Sequence, residues 1–332
     1  MNMYPLVSIL IPTYNRPYYL EQALKSALDQ TYPNIEIIIC DNSDDDRTKQ
    51  LVKARMSSPQ NAQIKYVKNA RNIGPIENQQ KCLKLSTGEY INYLMDDDLL
   101  HPEKIEKMLP YLADDDKVSL VTSPRHIIDS SNQPIRTSSR FMRSPGKESF
   151  FFGRTVIKKM LYDQKNYIGE PTTPLFRRSG LQAPFGVFLG YQANNSVDVA
   201  TWLTILSQDN AVFLSEPLSS YRKHRDQLAN STLSQMGHIC DWIMFTSLAR
   251  KNDLFIDAAA LADIVQMYKK PVLGHFLEWD EATGSKYIDE LMRRVTLIIE
   301  ICDDNQLHKP LASMASDFKV LLEQLDRRKK TL

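Results

Sequence analysis

The chain has 332 residues, with 41 Lys and Arg against 40 Asp and Glu and a formal net charge of +1. That balance argues against nucleic acid as a main partner. Four cysteines, Cys40, Cys82, Cys240 and Cys302, show no paired spacing, which disfavours a disulfide framework or a zinc site and fits a reducing compartment. No stretch reaches the ~20 apolar residues of a membrane span, and the sequence enters its first strand without a signal peptide. A cytoplasmic protein, at most peripheral at the inner face of the membrane, is expected.

Residues 6–15, Leu-Val-Ser-Ile-Leu-Ile-Pro-Thr-Tyr-Asn, form a β-branched run closed by Pro12 and a polar turn. This is the pattern of a buried strand feeding a βα loop, and a helix is expected at about 17–30. Residues 35–43 repeat the plan and end in Asp41-Asn42-Ser43. Asp44, Asp45 and Asp46 are expected to open the next helix, at about 45–57, where carboxylates suit the positive end of the helix dipole. A third strand at 63–67 precedes Asn69-Ala70-Arg71-Asn72-Ile73-Gly74 and a helix at 75–86. The fourth, starting at Tyr90, runs into Asp96-Asp97-Asp98, ahead of a helix at 103–113. Residues 124–152 are polar and rich in Ser, Arg and Pro, and read as a loop region crossing the cleft.

From about 232 the pattern turns helical without repeats. Its apolar stripes (Trp242, Phe245, Leu248; Val295, Ile299) read as core, with a dimer interface or acceptor-docking surface as the alternative. The basic run Arg327–Lys330 reads as a solvated helix end. The expected division is thus 1–230 as one α/β domain and 231–332 as an all-α region.

Strands alternating with helices imply a mostly parallel sheet flanked by helices on both faces. In such sheets ligands bind outside the carboxyl ends of the strands. Polar residues at 12–15, 41–43, 71–72 and 96–98 therefore gather along one rim. Three adjacent carboxylates at a strand end repel one another and raise one another's pKa. They call for a cation or hydrogen-bond donors, and a divalent metal above a phosphorylated substrate is one remedy; a solvated acidic turn is the other reading. The first strand is not followed by Gly-x-Gly-x-x-Gly, and the chain has no Gly-Lys-Ser/Thr phosphate loop, which removes the usual dinucleotide and nucleoside-triphosphate motifs.

Taken in order, "VSILIPTYNR", "IEIIICDNSDDD", "ARNIG" and "STGEYINYLMDDDLLHPEKI" resemble the family 2 glycosyltransferases of the GT-A (Rossmann-like) fold. The resemblance covers roughly residues 6–225 and is densest over 6–105. It implies a nucleotide-sugar donor, with UDP ahead of GDP or dTDP, a divalent metal (Mn2+ or Mg2+) and inversion at the anomeric carbon. It places Pro12, Thr13 and Tyr14 against nucleobase and ribose, Asp41 on the uracil imide, and Arg71 near base and phosphates, where a guanidinium grips or stacks well. Asp96 falls near the ribose or donor sugar and Asp97 on the metal. Asp98 is implied as an alternative ligand or as a support behind it.

Further along, "VDVATWLTIL" resembles the segment that carries the general base, which puts that role on Asp198 and the helix tryptophan on Trp202. Asp198 also suits a helix N-terminus, and the two readings are compatible. "YRKHRDQ" resembles the segment whose His reaches the metal or diphosphate, here His224, an imidazole suited to manganese. Arg222, Lys223 and Arg225 lie beside it and would offset charge on a departing diphosphate. Glu170, Thr172 and Thr173 are expected near the acceptor. Three departures stand out: Cys40 stands in the first of two commonly acidic places beside Asp41, and Met95 and Val197 occupy positions where many relatives are acidic. The last two keep open a catalytically inactive nucleotide-sugar-binding or scaffold subunit. The implied acceptor is a hydroxyl of a glycan, glycoprotein or cell-surface polysaccharide, and the C-terminal helices are the expected route to a homo-oligomer.

Overall fold

The computed structural model describes residues 4–58, 63–138, 148–225, 227, 232–254 and 316. The helices expected beyond 254, with Val295, Ile299 and the basic end, lie outside the described residues. By internal contacts the chain divides into two compact units. The first comprises Met1–Val156, Asn166–Phe188 and Val197–His224; the second comprises Ile157–Lys165, Leu189–Ser196 and Arg225–Leu332.

The first unit is built on an eight-stranded mixed sheet. Its early part alternates as the sequence requires: β1 (Val7–Thr13), α1 (Pro17–Leu28), β2 (Ile35–Asp41), α2 (Arg47–Met56), β3 (Ile64–Lys68), α3 (Pro75–Leu85) and β4 (Tyr90–Tyr93). Next come β5 (Leu99–Leu100), α4 (Lys104–Ala113), β6 (Val118–Thr122), β7 (His126–Ile128), β8 (Pro134–Thr137), β9 (Ser149–Phe151) and α5 (Gly153–Asp163). β10 (Leu175–Arg177), β11 (Val187–Phe188), β12 (Tyr191–Gln192), α6 (Val197–Gln208), β13 (Asn210–Phe213), β14 (Ser219–Arg222) and α7 (Thr232–Lys251) complete the described elements.

The strand order is β3-β2-β1-β4-β10-β6-β13-β9. β1, β2, β3 and β4 pair in parallel, β10 runs antiparallel between β4 and β6, and β13 lies parallel to β6. Alternate residues of a strand face opposite sides of the sheet, and both sides are filled. Ile9 and Ile11 of β1 pack with Leu20, Ala23, Leu24 and Ala27 of α1. Leu175 of β10 joins Ile105, Met108, Leu109 and Leu112 of α4. Its neighbour Phe176 instead meets Trp202 of α6 edge-on, with ring centroids 5.7 Å apart. Each of these large side chains, buried, contributes about 1.5–3 kcal/mol, so α1, α4 and α6 are pinned to the sheet by apolar contact.

Three expectations need correction. Residues 124–152, read as loop, contain β7, β8 and β9 among their described residues. β7 and β8 belong to a small sheet of order β5-β14-β7-β8. Strands of three or four residues, exposed along β8, lack the apolar alternation that would reveal them. Asp44 and Asp45 precede α2, which starts at Arg47 with Asp46 as its cap residue. Pro12 does not close β1, which continues through Thr13.

In the second unit, α7 presents a wholly buried Asp241 whose carboxylate accepts from the backbone N–H groups of Asn195 and Ser196, both at 2.8 Å. The Tyr191 hydroxyl donates to the same carboxylate at 2.8 Å. Every donor in this set answers the buried charge, as it must.

Candidate active site

The register of the parallel strands brings the rim together. Thr13 stands opposite Asp41 at the carboxyl ends of β1 and β2. β4 pairs with β1 up to Tyr93 opposite Leu10, so the chain leaves β4 beside the end of β1. There it turns, the Asp98 N–H reaching the Met95 carbonyl at 3.0 Å.

This turn fans the three carboxylates in different directions. Asp96 faces β1: it accepts from the Thr13 hydroxyl at 2.8 Å, the Tyr14 N–H at 3.3 Å and the Arg16 guanidinium at 3.2 Å. Asp97 offers Oδ2 to Arg16 at 3.0 Å and to His224 Nε2 at 2.9 Å. Asp98 faces away, accepting from the Arg222 N–H at 2.9 Å and the Thr172 hydroxyl at 2.6 Å. The three residues are 3%, 7% and 1% exposed. Burial, and next the charge of Asp97, raises the pKa of Asp96 to about 6. The same two causes push Asp98 well above the carboxylate range.

Arg16 is the cation that offsets this crowding, and Arg222 braces the turn through its backbone N–H and its Nε–H; sequence reasoning gave neither a role among the carboxylates. Arg16 ends the first quoted motif and bridges Asp96 and Asp97. Arg222, fully buried, donates Nε–H to the Asp97 carbonyl at 2.6 Å and lies 4.9 Å from the Tyr19 ring centroid. His224 packs on the same Tyr19 ring at 5.0 Å. Thr172 ties Asp98 to the turn, also accepting from the Met95 N–H at 3.0 Å.

Asp41 is fully buried. Its Oδ1 accepts from the Ser43 N–H at 2.7 Å and its Oδ2 from the Tyr66 hydroxyl at 2.6 Å. Tyr14 is 44% exposed and donates to Asp44 Oδ2 at 2.9 Å. Asn15 holds the same oxygen at 2.8 Å and takes the left-handed conformation, with φ 54°. Arg71 is exposed on the β3–α3 connection. That connection is held by Asn42, whose Nδ2 donates to the Gly74 carbonyl at 3.0 Å. Pro12 is buried opposite Cys40.

Asp198 lies in the first turn of α6. Its Oδ1 accepts from the Val199 N–H at 2.8 Å and its Oδ2 from Asn166 Nδ2 at 2.9 Å. Burial is the largest cause that lifts its pKa to about 7, and Glu170 adds to it against the opposing pull of Arg125. Arg125 and Glu170 are themselves paired, Nη2 to Oε1 at 2.7 Å. A carboxylate that titrates near neutrality is suited to take a proton and release it again. Strong perturbation of a carboxylate by burial and charged neighbours is a mark of functional groups.

The model of glycosyl transferase family 2 matches residues 8–183, more than half of the chain and all of the rim from β1 to the Thr172 turn. The chain belongs to that family. An uncharacterized glycosyltransferase of Rickettsia typhi is 28% identical over 280 residues, covering 80% of each protein. The structure of S. aureus TarS 1–349 in complex with UDP-GlcNAc superposes with a TM-score of 0.63 at 17% identity, over 97% of this chain and 91% of that one. The mannosyltransferase PcManGT of Pyrobaculum calidifontis, in complex with GDP-Man and Mn2+, gives 0.55 at 14% identity, over 98% and 85%. The fold is therefore of the GT-A kind, and the enzyme's activity is glycosyl transfer.

A divalent metal can be tested against the donor set of this glycosyltransferase. Among the described residues no three His, Cys, Asp or Glu side chains converge as a complete metal cage. Asp97 Oδ2 and His224 Nε2 do converge, 2.9 Å apart. An oxygen and an imidazole nitrogen so placed suit two neighbouring positions of a manganese ion better than of magnesium, which prefers oxygen ligands. Such ions take one or two protein ligands and draw the rest from phosphate and water. Asp98, with both oxygens engaged elsewhere, is placed as a support of the turn. No described helix is long and apolar enough to cross a membrane, and Cys40, Cys82 and Cys240 are buried free thiols.

Proposed function

We propose that this glycosyltransferase moves a sugar from a UDP-sugar to an acceptor hydroxyl with inversion at the anomeric carbon, using a divalent metal. One observation carries the reading: the carboxylate turn separates its three charges by partner, leaving Asp97 and His224 together at the rim. Asp198, in contrast, is held apart, with a pKa lifted to about 7.

In this reading Asp97 and His224 hold the metal. When bound, it offsets the negative charge that grows on the leaving diphosphate. Arg16, already between Asp96 and Asp97, supplies a second positive charge at the same place. Thr13, Tyr14, Arg71 and Pro12 line the nucleoside end. Asp41 accepts the uracil imide N–H once the Tyr66 hydroxyl gives up its place or shares the oxygen. Asp96 receives a ribose or sugar hydroxyl.

Asp198 removes the proton from the acceptor hydroxyl, whose oxygen bonds to the anomeric carbon from the face opposite UDP. The bond from that carbon to the phosphate oxygen breaks, and its electron pair leaves with UDP. The proton remains on Asp198 until solvent removes it. A hydroxyl is a poor nucleophile at neutral pH, and a base of this pKa contributes about 10²–10⁴ in rate.

The test is UDP release from a panel of UDP-sugars with manganese, in wild type and Asp198→Asn, with the anomeric configuration of the product read by NMR. Release lost in the variant and an inverted product support the reading. Release that survives in Asp198→Asn, or a retained configuration, overturns it.

A further inference from the structure

The segment between α5 and β10 carries a side chain that nothing in the reaction scheme has used. Asn166 Oδ1 accepts from the N–H groups of Ile168 at 3.1 Å and Gly169 at 3.0 Å. Its Nδ2 donates to the Gly169 carbonyl at 3.0 Å and to Asp198 Oδ2 at 2.9 Å. The amide orientation is fixed by this network: a flip would set its NH2 against two N–H donors and its oxygen against two acceptors.

The clip has a second attachment to α6. The Gly169 carbonyl also accepts from the Trp202 indole N–H at 3.0 Å. Asp198 and Trp202 are four residues apart on a helix and so share a face. Trp202 is fully buried between Phe176 and Phe185. Gly169 takes φ +108°, and a Cβ there would come within 2.8 Å of Thr173, so the loop has little freedom to shift. A rigid loop thus reaches α6 at the base and one turn beyond it.

We propose that Asn166 is a positioning residue for the transfer reaction, fixing the plane of the Asp198 carboxylate and holding it in its ionised form. The inference rests on Asp198 being the base. A donor aimed at a carboxylate favours the charged form, and an ionised carboxylate is what a base requires. The charged groups facing Asp198 are Glu170, which opposes ionisation, and Arg125, which favours it. Asn166 is the neutral donor that adds to the effect of Arg125. It also leaves the second lone pair of Oδ2 for the acceptor proton.

The experiment titrates the carboxyl carbon of Asp198 directly, by 13C NMR of aspartate-labelled protein, its resonance identified by its loss in Asp198→Asn. Asn166→Ala should raise the midpoint by about one pH unit, the size of a lost charge-assisted hydrogen bond partly replaced by water. Asn166→Asp keeps the acceptor for Ile168 and Gly169 and sets a second carboxylate against Asp198. It should raise the midpoint further, or split it into two coupled steps.

The acid limb of UDP-N-acetylglucosamine hydrolysis should move upward with the midpoint. An unmoved midpoint in Asn166→Asp overturns the proposal, as does turnover that falls equally at every pH. Because the titration needs no turnover, the two readings fail separately. An unmoved midpoint, with hydrolysis still lost in Asp198→Asn, overturns the role of Asn166 alone. Hydrolysis retained in Asp198→Asn overturns the base reading and Asn166's purpose with it.

Discussion

Replacing Asp198 by Asn is expected to remove activity while stabilising the fold at alkaline pH. An Asp in an unfolded chain ionises near 3.9, whereas Asp198 ionises near 7. Between those values the folded state holds its proton more tightly than the unfolded state. Stability therefore falls as pH rises from about 4 to about 7, and the loss is complete above 7. The two values lie about three pH units apart, which at 1.36 kcal/mol each amounts to about 4 kcal/mol. Partial contact of this half-buried residue with solvent reduces that to about 2–3 kcal/mol. An amide carries no such cost. It can still accept from Asn166, but its NH2 then meets the Val199 N–H, forfeiting one bond of about 1 kcal/mol. The net expectation is a variant about 1–2 kcal/mol more stable than wild type at pH 8 and about equal to it at pH 4.5, where wild type has lost only about 1 kcal/mol. Urea denaturation at the two pH values reads this directly, alongside UDP release, which should drop by at least ~10². A stability difference of the same sign and size at both pH values would refute the electrostatic reasoning, whatever happened to activity.

Arg16→Gln removes the cation shared by Asp96 and Asp97. Their side chains are only 5% and 10% exposed, against 25% for Arg16, so the loss at pH 7 should be about 2–3 kcal/mol, below the range for a fully buried pair. Manganese should recover more melting temperature in this variant than in wild type, and an equal response in both would count against a shared place for Arg16 and metal. Lys104 is fully buried, its Nζ on the Thr173 carbonyl at 2.5 Å, and burial lowers its pKa to about 7. The unfolded chain binds more protons between about pH 7 and 10.4, so the wild type gains stability as pH rises through that window. Lys104→Met should therefore stabilise the protein at pH 6 and lose that advantage by pH 9, as read by thermal melts at both.

The early half of the fold was legible because each strand announces itself twice, by a β-branched run and by the polar turn after it. β1 to β4 and α1 to α4 lie within a few residues of the expected bounds, since parallel strands buried on both faces leave a strong pattern. The Asp triplet was legible as a site for the same reason, standing at the end of such a run. Its internal geometry was not. The Met95–Asp98 turn sends three neighbouring carboxylates to β1, to His224 and to β14, and the partners that decide this lie 74 to 127 residues away in the chain. Arg222 was read with Lys223 and Arg225 as charge for a departing diphosphate, and nothing local in the run shows that the structure buries it completely, with its Nε–H on the Asp97 carbonyl. Tyr66 gave no signal at all: a tyrosine in a strand reads as packing, and only the β2–β3 register places its hydroxyl on Asp41. Asn166 was equally silent, because a single Asn in a polar stretch, three residues ahead of Gly169, reads as a loop residue.

The central claim is that a nucleoside diphosphate and a divalent metal meet at Asp97. Thermal melting of wild type and Asp97→Ala with UDP, manganese, or both tests it most directly, because a ligand that binds only the native state raises the melting temperature with its affinity. The account predicts a rise with UDP that grows when manganese is present, and in Asp97→Ala a UDP response that manganese no longer increases. A wild-type response to UDP that manganese leaves unchanged, or no response to UDP under any condition, would contradict it.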